Sequence, residues 1–178
     1  PALQLGLLPG FVLRMGRTPL QPRSHLTRFY VNIKPGFAGW ALGHLGRRLD
    51  AAGVPYELKV LAHPRTYVRR DPCVLYVRSA HEAQVIRLLS QAINELPSGA
   101  VRGTAPRLTG RVMPGVNLAH EPTDMSTAGI SHGQWVAGLF CEAAKVTRDP
   151  RAIAARVRTL IAEAGRDPRQ PHLRGDAG

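Results

Sequence analysis

From Arg28 to Lys34 the chain alternates strictly: Phe29, Val31 and Ile33 are apolar, while Arg28, Tyr30, Asn32 and Lys34 carry polar heads, the period-two signature of a strand. The pattern puts those four polar side chains on one face. Beyond Pro35 and Gly36, the residues Ala38, Ala41, Leu42, Leu45 and Leu49 recur at helical spacing until Gly53 and Pro55 end the run. Alternation returns over Tyr56 to Leu61, and Cys73 to Val77 reads as a short apolar strand, with a basic loop from His63 to Asp71 between them. Ser79 and Glu82 stand at capping-box spacing before Val85, Ile86, Leu88, Leu89, Ala92 and Ile93, which predicts a second helix stopping near Pro97. Ser98 to Ser131 shows neither period. Gln134 to Val146 reads as helix, and Asp149-Pro150 is the cap and first turn of another that runs through Ala164 to Gly165. The expected fold class is α+β: a single domain with a small mixed, largely antiparallel sheet flanked by helices. Its parts would be an N-terminal segment 1–27, the domain proper 28–165 and a flexible tail 166–178.

Composition agrees with one folded domain, since 178 residues with 44% hydrophobic and 20% charged residues suit a globular chain. Lys and Arg number 24 against 12 acids, a net charge of +12, so an anionic partner is implied. Two cysteines, Cys73 and Cys141, support neither a disulfide framework nor a four-thiolate zinc site, and point to a reducing compartment. The apolar opening Leu3 to Leu13 is broken by Gly6, Pro9 and Gly10, lacks a basic leader, and no later stretch approaches a membrane span. The expectation is a cytoplasmic protein without a membrane partner. The first residue is proline, which leaves open a longer natural chain.

The donors of Arg28, Tyr30, Asn32 and Lys34 could neutralise and hydrogen-bond an oxyanion; the plainer reading is the solvated face of a half-buried strand. Lys59 sits mid-strand, where a lysine either snorkels to solvent from an edge or, desolvated and crowded by cations, becomes a base. Arg65, Arg69 and Arg70 in the loop suit phosphate through their planar forks, or form an ordinary solvated charge run. The seven histidines have no metal spacing, and no phosphate loop, dinucleotide fingerprint or nucleophile elbow occurs. Aromatics at 6% argue against a base-stacking sheet, so nucleic acid is not the expected partner.

Three segments carry a resemblance: Arg28-Phe29-Tyr30-Val31-Asn32, then Val54-Pro55-Tyr56-Glu57-Leu58-Lys59-Val60, then Tyr67-Val68-Arg69-Arg70-Asp71-Pro72-Cys73-Val74-Leu75-Tyr76-Val77. With Pro114-Gly115-Val116-Asn117-Leu118-Ala119-His120-Glu121-Pro122 and Ser131-His132-Gly133, the chain resembles the HopA-type effector family from residue 28 to 145. That family includes bacterial relatives in lanthipeptide and thioamitide biosynthesis, a branch of ribosomally made peptide (RiPP) chemistry. Two positions depart from its pattern: His132 replaces the usual Phe of the Ser-Phe-Gly motif, and Val136 stands where many members have Arg.

The resemblance implies a lyase that eliminates phosphate from phosphothreonine or phosphoserine of a precursor peptide, leaving dehydroamino acids. The peptide would first be phosphorylated by a separate small aminoglycoside-phosphotransferase-like kinase, in complex with the lyase. On this view Lys59 is the general base and Tyr30 the proton donor, the latter standing where the more distantly similar phosphothreonine lyases place a His. Arg28, Lys34 and Arg69, then Arg65 and Arg70, would hold the phosphate; Asn32 would orient the peptide carbonyl; no cofactor or metal is needed. The alternatives are a non-catalytic phosphopeptide-binding or regulatory subunit, and a type III effector.

Overall fold

The computed structural model describes residues 9–21, 25–122 and 130–174. Six strands, β1 Phe11–Met15, β2 Leu26–Val31, β3 Tyr56–Leu61, β4 Cys73–Arg78, β5 Gly110–Met113 and β6 Val116–His120, form one sheet in the order β1-β3-β4-β2-β6-β5. The pairings β1 with β3, β3 with β4 and β2 with β4 are all antiparallel. Four helices accompany them: α1 over 38–51, α2 Glu82–Asn94, α3 His132–Val146 and α4 Pro150–Glu163. The α+β class read from the sequence is therefore the observed one.

The residues divide into two compact units, Pro1–Arg107 with Arg111–Leu118, and Leu108–Gly110 with Ala119–Gly178. In the first, β3 spans the residues its alternation predicts, and Tyr56, Leu58 and Val60 are buried. Helix α1 covers that face. Its Leu42 carbonyl accepts from Arg14 Nη1 at 2.5 Å, and its Gly46 carbonyl accepts from Tyr56 Oη at 3.0 Å. Residues Ala41–Leu45 form a π-helical turn within α1, next to which a Cβ on Gly46 would lie 2.5 Å from Arg14 Nε, so glycine leaves room for the guanidinium.

Two start signals resolve differently. Ser131 caps α3 with the full reciprocal box to Gln134, and Asp149 caps α4 through the amides of Arg151 and Ala152. At α2 the Ser79/Glu82 spacing is not a capping box: Ser79 Oγ donates to His25 O, and Glu82 accepts from Thr27 Oγ1 at 2.9 Å. Both side chains tie the helix start to β2 instead.

The sequence reading assigned no element to β1, β5 or β6. β1 pairs along its whole length with β3, although it falls in the stretch taken as an N-terminal segment. The rest of the apolar opening, residues 3–8, lies outside the described residues. In the stretch 98–131, Pro114 and Gly115 are the turn between β5 and β6, and residues 123–129 also lie outside the description. Gly115 has φ +74°, its carbonyl accepts from Asn32 N at 2.9 Å, and a Cβ there would run into the Arg102 carbonyl oxygen and Val101 Cγ1. Gly115→Ala should cost about 2–4 kcal/mol, from the left-handed conformation and the forced shift together. A urea midpoint unchanged from wild type would show that the turn relaxes freely.

The second unit packs α3 on α4 through Trp135, Val136, Ala143, Val157 and Ile161. Among the described residues of the tail, Arg166 is 8% exposed. Its guanidinium donates to the carbonyls of His120, Glu121, Pro171 and Leu173 and lies 4.8 Å from the Trp135 ring centroid. A guanidinium's five donors can saturate several turn carbonyls at once.

Candidate functional site

Strand register decides which side chains share the sheet face opposite α1. Lys59 on β3 and Tyr30 on β2 are both cross-strand partners of Val74 on β4, from its two sides. Likewise Glu57 and Arg28 flank Tyr76. Two rows result, Lys59-Val74-Tyr30 and Glu57-Tyr76-Arg28, and two strand spacings put the outer Cα atoms of each row about 10 Å apart.

Two aromatic rings gather the cations on this face. Lys59 Nζ lies 4.7 Å from the Phe11 ring centroid and 5.1 Å from that of Tyr76. Arg28 Cζ lies 4.8 Å from the same Tyr76 centroid, and Arg69 Cζ lies 6.0 Å from that of Phe11. Such contacts draw cations onto ring faces and hold long side chains in place. Neither Phe11 nor Tyr76 was singled out in the sequence. Tyr76 sits inside an apolar run, and Phe11 on a strand that the broken opening concealed.

The face is not a solvated one. Every residue of β2 is buried, with Arg28 at 9% and Tyr30 at 8% exposure, and Lys59 is half-buried. Arg69 is exposed, and its Nε and Nη2 donate to the two Asp71 carboxylate oxygens at 2.9 and 2.7 Å. That fork raises the Arg69 pKa further, against the lowering effect of burial.

The other expected site residues lie elsewhere. β2 ends at Val31, so Asn32 and Lys34 do not continue its polar face. Asn32 is 2% exposed; its Nδ2 donates to Thr104 O at 2.7 Å and its Oδ1 accepts from Arg102 Nη1 at 3.3 Å. An amide so engaged fixes a loop and leaves little for a peptide carbonyl. Lys34 is exposed, its Nζ would be 3.5 Å from a Cβ on Gly99, and no contact joins it to either ring among the described residues. Arg65 and Arg70 line a groove of about 460 Å³ together with Asn32, Tyr67, Arg69, Arg102 and Thr104. Of the five cations expected around phosphate, the structure brings Arg28 and Arg69 to the rings that hold Lys59.

Two groups close to this face are withdrawn by burial, while the thiol of Cys141 is exposed on α3. Burial pushes the Cys73 thiol up to about 12, and burial, followed by the nearby Cys73, raises Tyr67 to about 12, with its Oη donating to Leu61 O at 2.9 Å. Among the described residues no three of His, Cys, Asp and Glu cluster as a metal would require. Within them, no helix is long and apolar enough to cross a membrane.

The HopA1 effector protein family model matches residues 4–173, nearly the whole chain. The chain belongs to that family. Two solved structures share its fold, both described as effector proteins: one from Pseudomonas syringae pv. tomato strain DC3000 at 19% identity and one from Pseudomonas syringae pv. syringae strain 61 at 21%. Each superposes with a TM-score of 0.70 over 93% of this chain and 63% of its own length. This HopA1-family chain thus spans less than two thirds of those effectors. No curated protein matches it. The two departures from the family motifs fall in the second unit. His132 is fully buried, with its ring 5.7 Å from that of Trp135, and Val136 belongs to the apolar α3–α4 core, where it offers nothing to an anion.

Proposed function

We propose that this chain is a phosphothreonine or phosphoserine lyase. Its substrate would be a ribosomally made precursor peptide, in lanthipeptide or thioamitide biosynthesis, and its products dehydroamino acids. The observation that carries the reading is the shared register of Lys59 and Tyr30 about Val74, with Arg28 on the next row. β-Elimination needs a base at the α-carbon, a proton donor at the leaving oxygen and cations at the phosphate, and a single sheet face that presents all three suits a syn elimination.

On this reading Lys59 is the base, its amine taking the α-proton once it has given up its own. The electrons of that C–H bond become the Cα=Cβ double bond, and the Cβ–O pair departs with phosphate. Tyr30 supplies a proton or hydrogen bond to the leaving oxygen, while Arg28 and Arg69 balance the dianion. The chemistry asks for no cofactor. A small aminoglycoside-phosphotransferase-like kinase would supply the phosphorylated residue, in complex with this chain and in the cytoplasm.

Mass spectrometry of a synthetic phosphopeptide incubated with the protein tests the assignment. Elimination removes phosphoric acid, about 98 Da, whereas hydrolysis removes about 80 Da and restores the hydroxyl. Loss of only the smaller mass sinks the lyase reading, and tight binding with no mass change favours a non-catalytic phosphopeptide-binding subunit. A type III effector role has on its side the match to the HopA1 effector protein family and the two solved relatives, both effector proteins. Secretion genes beside this one, in place of a kinase and a Ser/Thr/Cys-rich precursor, would favour it.

A further inference from the structure

Of the groove beside the cationic face, only Arg69 has a task in the proposed elimination. Its volume is about 460 Å³, and Arg65, Arg69, Arg70 and Arg102 all contribute to its lining. These four arginines are not equivalent. Arg102 serves the fold, donating from Nη1 to Tyr67 O at 2.9 Å and to Asn32 Oδ1 at 3.3 Å. Arg69 is matched by Asp71. Arg65 and Arg70 are exposed on the loop, and among the described residues neither side chain meets a carboxylate.

Arg69 belongs to both places: it lines the groove and its guanidinium lies against the Phe11 ring that also holds Lys59. A peptide whose phosphorylated side chain reaches Lys59 and Arg28 has a flank that must leave over the surface of the same unit, and the groove begins where Arg69 ends the cationic face. We propose that this groove is the subsite for acidic residues flanking the phosphorylated residue, Arg65 and Arg70 pairing with Asp or Glu side chains of the peptide. The proposal rests on the peptide-lyase reading for its orientation. The groove's chemistry is its own: solvent-exposed planar forks match carboxylates two bonds at a time. Between Arg65 and Arg70 on the loop, Val68 is 89% exposed, an apolar surface that a peptide backbone can cover.

The test uses unphosphorylated, fluorescently labelled peptides, so that it reads the groove without any turnover. One peptide carries Asp and Glu beside the target Thr; its twin carries Asn and Gln. The wild type should bind the acidic peptide about tenfold more tightly, the scale of two exposed ion pairs in moderate salt. In Arg65→Gln/Arg70→Gln that ratio should collapse toward one. In Arg65→Glu/Arg70→Glu a Lys-flanked peptide should bind best, a reversal that misfolding cannot imitate. An unchanged ratio in the Gln variant overturns the proposal. So does displacement of the acidic peptide by a single-stranded oligonucleotide of equal charge at lower concentration, which would make the groove a general polyanion surface. The two readings fail separately. A preserved charge ratio with no loss of about 98 Da removes the lyase and leaves the groove, and the converse removes the groove alone.

Discussion

Lys59→Met should reduce elimination of phosphate from a phosphopeptide by about 10²–10⁴, the usual consequence of removing a general base, while leaving most of the phosphopeptide affinity in place. Met keeps the stem that runs between Phe11 and Tyr76, and Arg28 and Arg69 still offer their charge on those two rings. Lys59→Arg should be nearly as inactive, since a guanidinium retains its proton near neutral pH. Single-turnover elimination alongside equilibrium binding separates the two roles. Strong activity in Lys59→Arg would reduce Lys59 to a positive charge and move the base elsewhere. The histidines nearest in sequence are poor replacements as they stand. His44 Nε2 is 3.0 Å from Glu95 Oε2, with Arg48 also donating to it, and His63 Nδ1 accepts from Arg65 N at 3.2 Å.

Arg14→Met should cost about 3–5 kcal/mol of folding stability, because it strips a buried carboxylate and a buried phenol of their shared partner. Arg14 is 7% exposed; Nη2 donates to Asp50 Oδ2 at 2.7 Å and Nε to Tyr56 Oη at 2.8 Å. Burial by itself would raise the Asp50 pKa, but the Arg17 amide and then the Arg14 guanidinium more than offset it and hold the carboxyl below its ordinary value. A depressed folded value means that Asp50 contributes stability above its unfolded pKa, near 3.9, and loses it as pH falls through the folded value. In Arg14→Met the burial remains while one partner is gone, so the deficit against wild type should be largest near neutral pH and shrink in acid. Denaturant unfolding across that range measures it. A deficit independent of pH would mean that Arg14 acts by packing alone.

Strand β3 was legible because deeper burial on one side imposes a period that needs no knowledge of partners. Tyr56, Leu58 and Val60 alternate with Glu57, Lys59 and Leu61, and the structure buries the first three. Capping worked where the cap has no competitor, at Asp149, and the Ser131 box was found only in the structure. It misled at Ser79 and Glu82, whose side chains turn to His25 and Thr27 more than fifty residues away. β1, β5 and β6 were hidden in Gly- and Pro-rich stretches, where only the neighbouring strand supplies the hydrogen bonds that make a strand worth forming.

For the site, local pattern identified residue types and the register chose among them. Arg28, Tyr30 and Lys59 were visible as polar residues at strand positions, and their common face follows from β4 lying between β2 and β3, an order that no local pattern contains. The same alternation carried Asn32 and Lys34 into the list, because period two says nothing of where a strand stops. The end of β2 at Val31 gave Asn32 to Thr104 and Arg102 and left Lys34 outside. The chain's own sequence determined its α+β class, its charge and the chemistry at its disposal. Which cations share a ring, and which sit in a separate groove, was decided by strand order and by an unforeseen first strand carrying Phe11, since those contacts join residues that sequence separates by tens of positions.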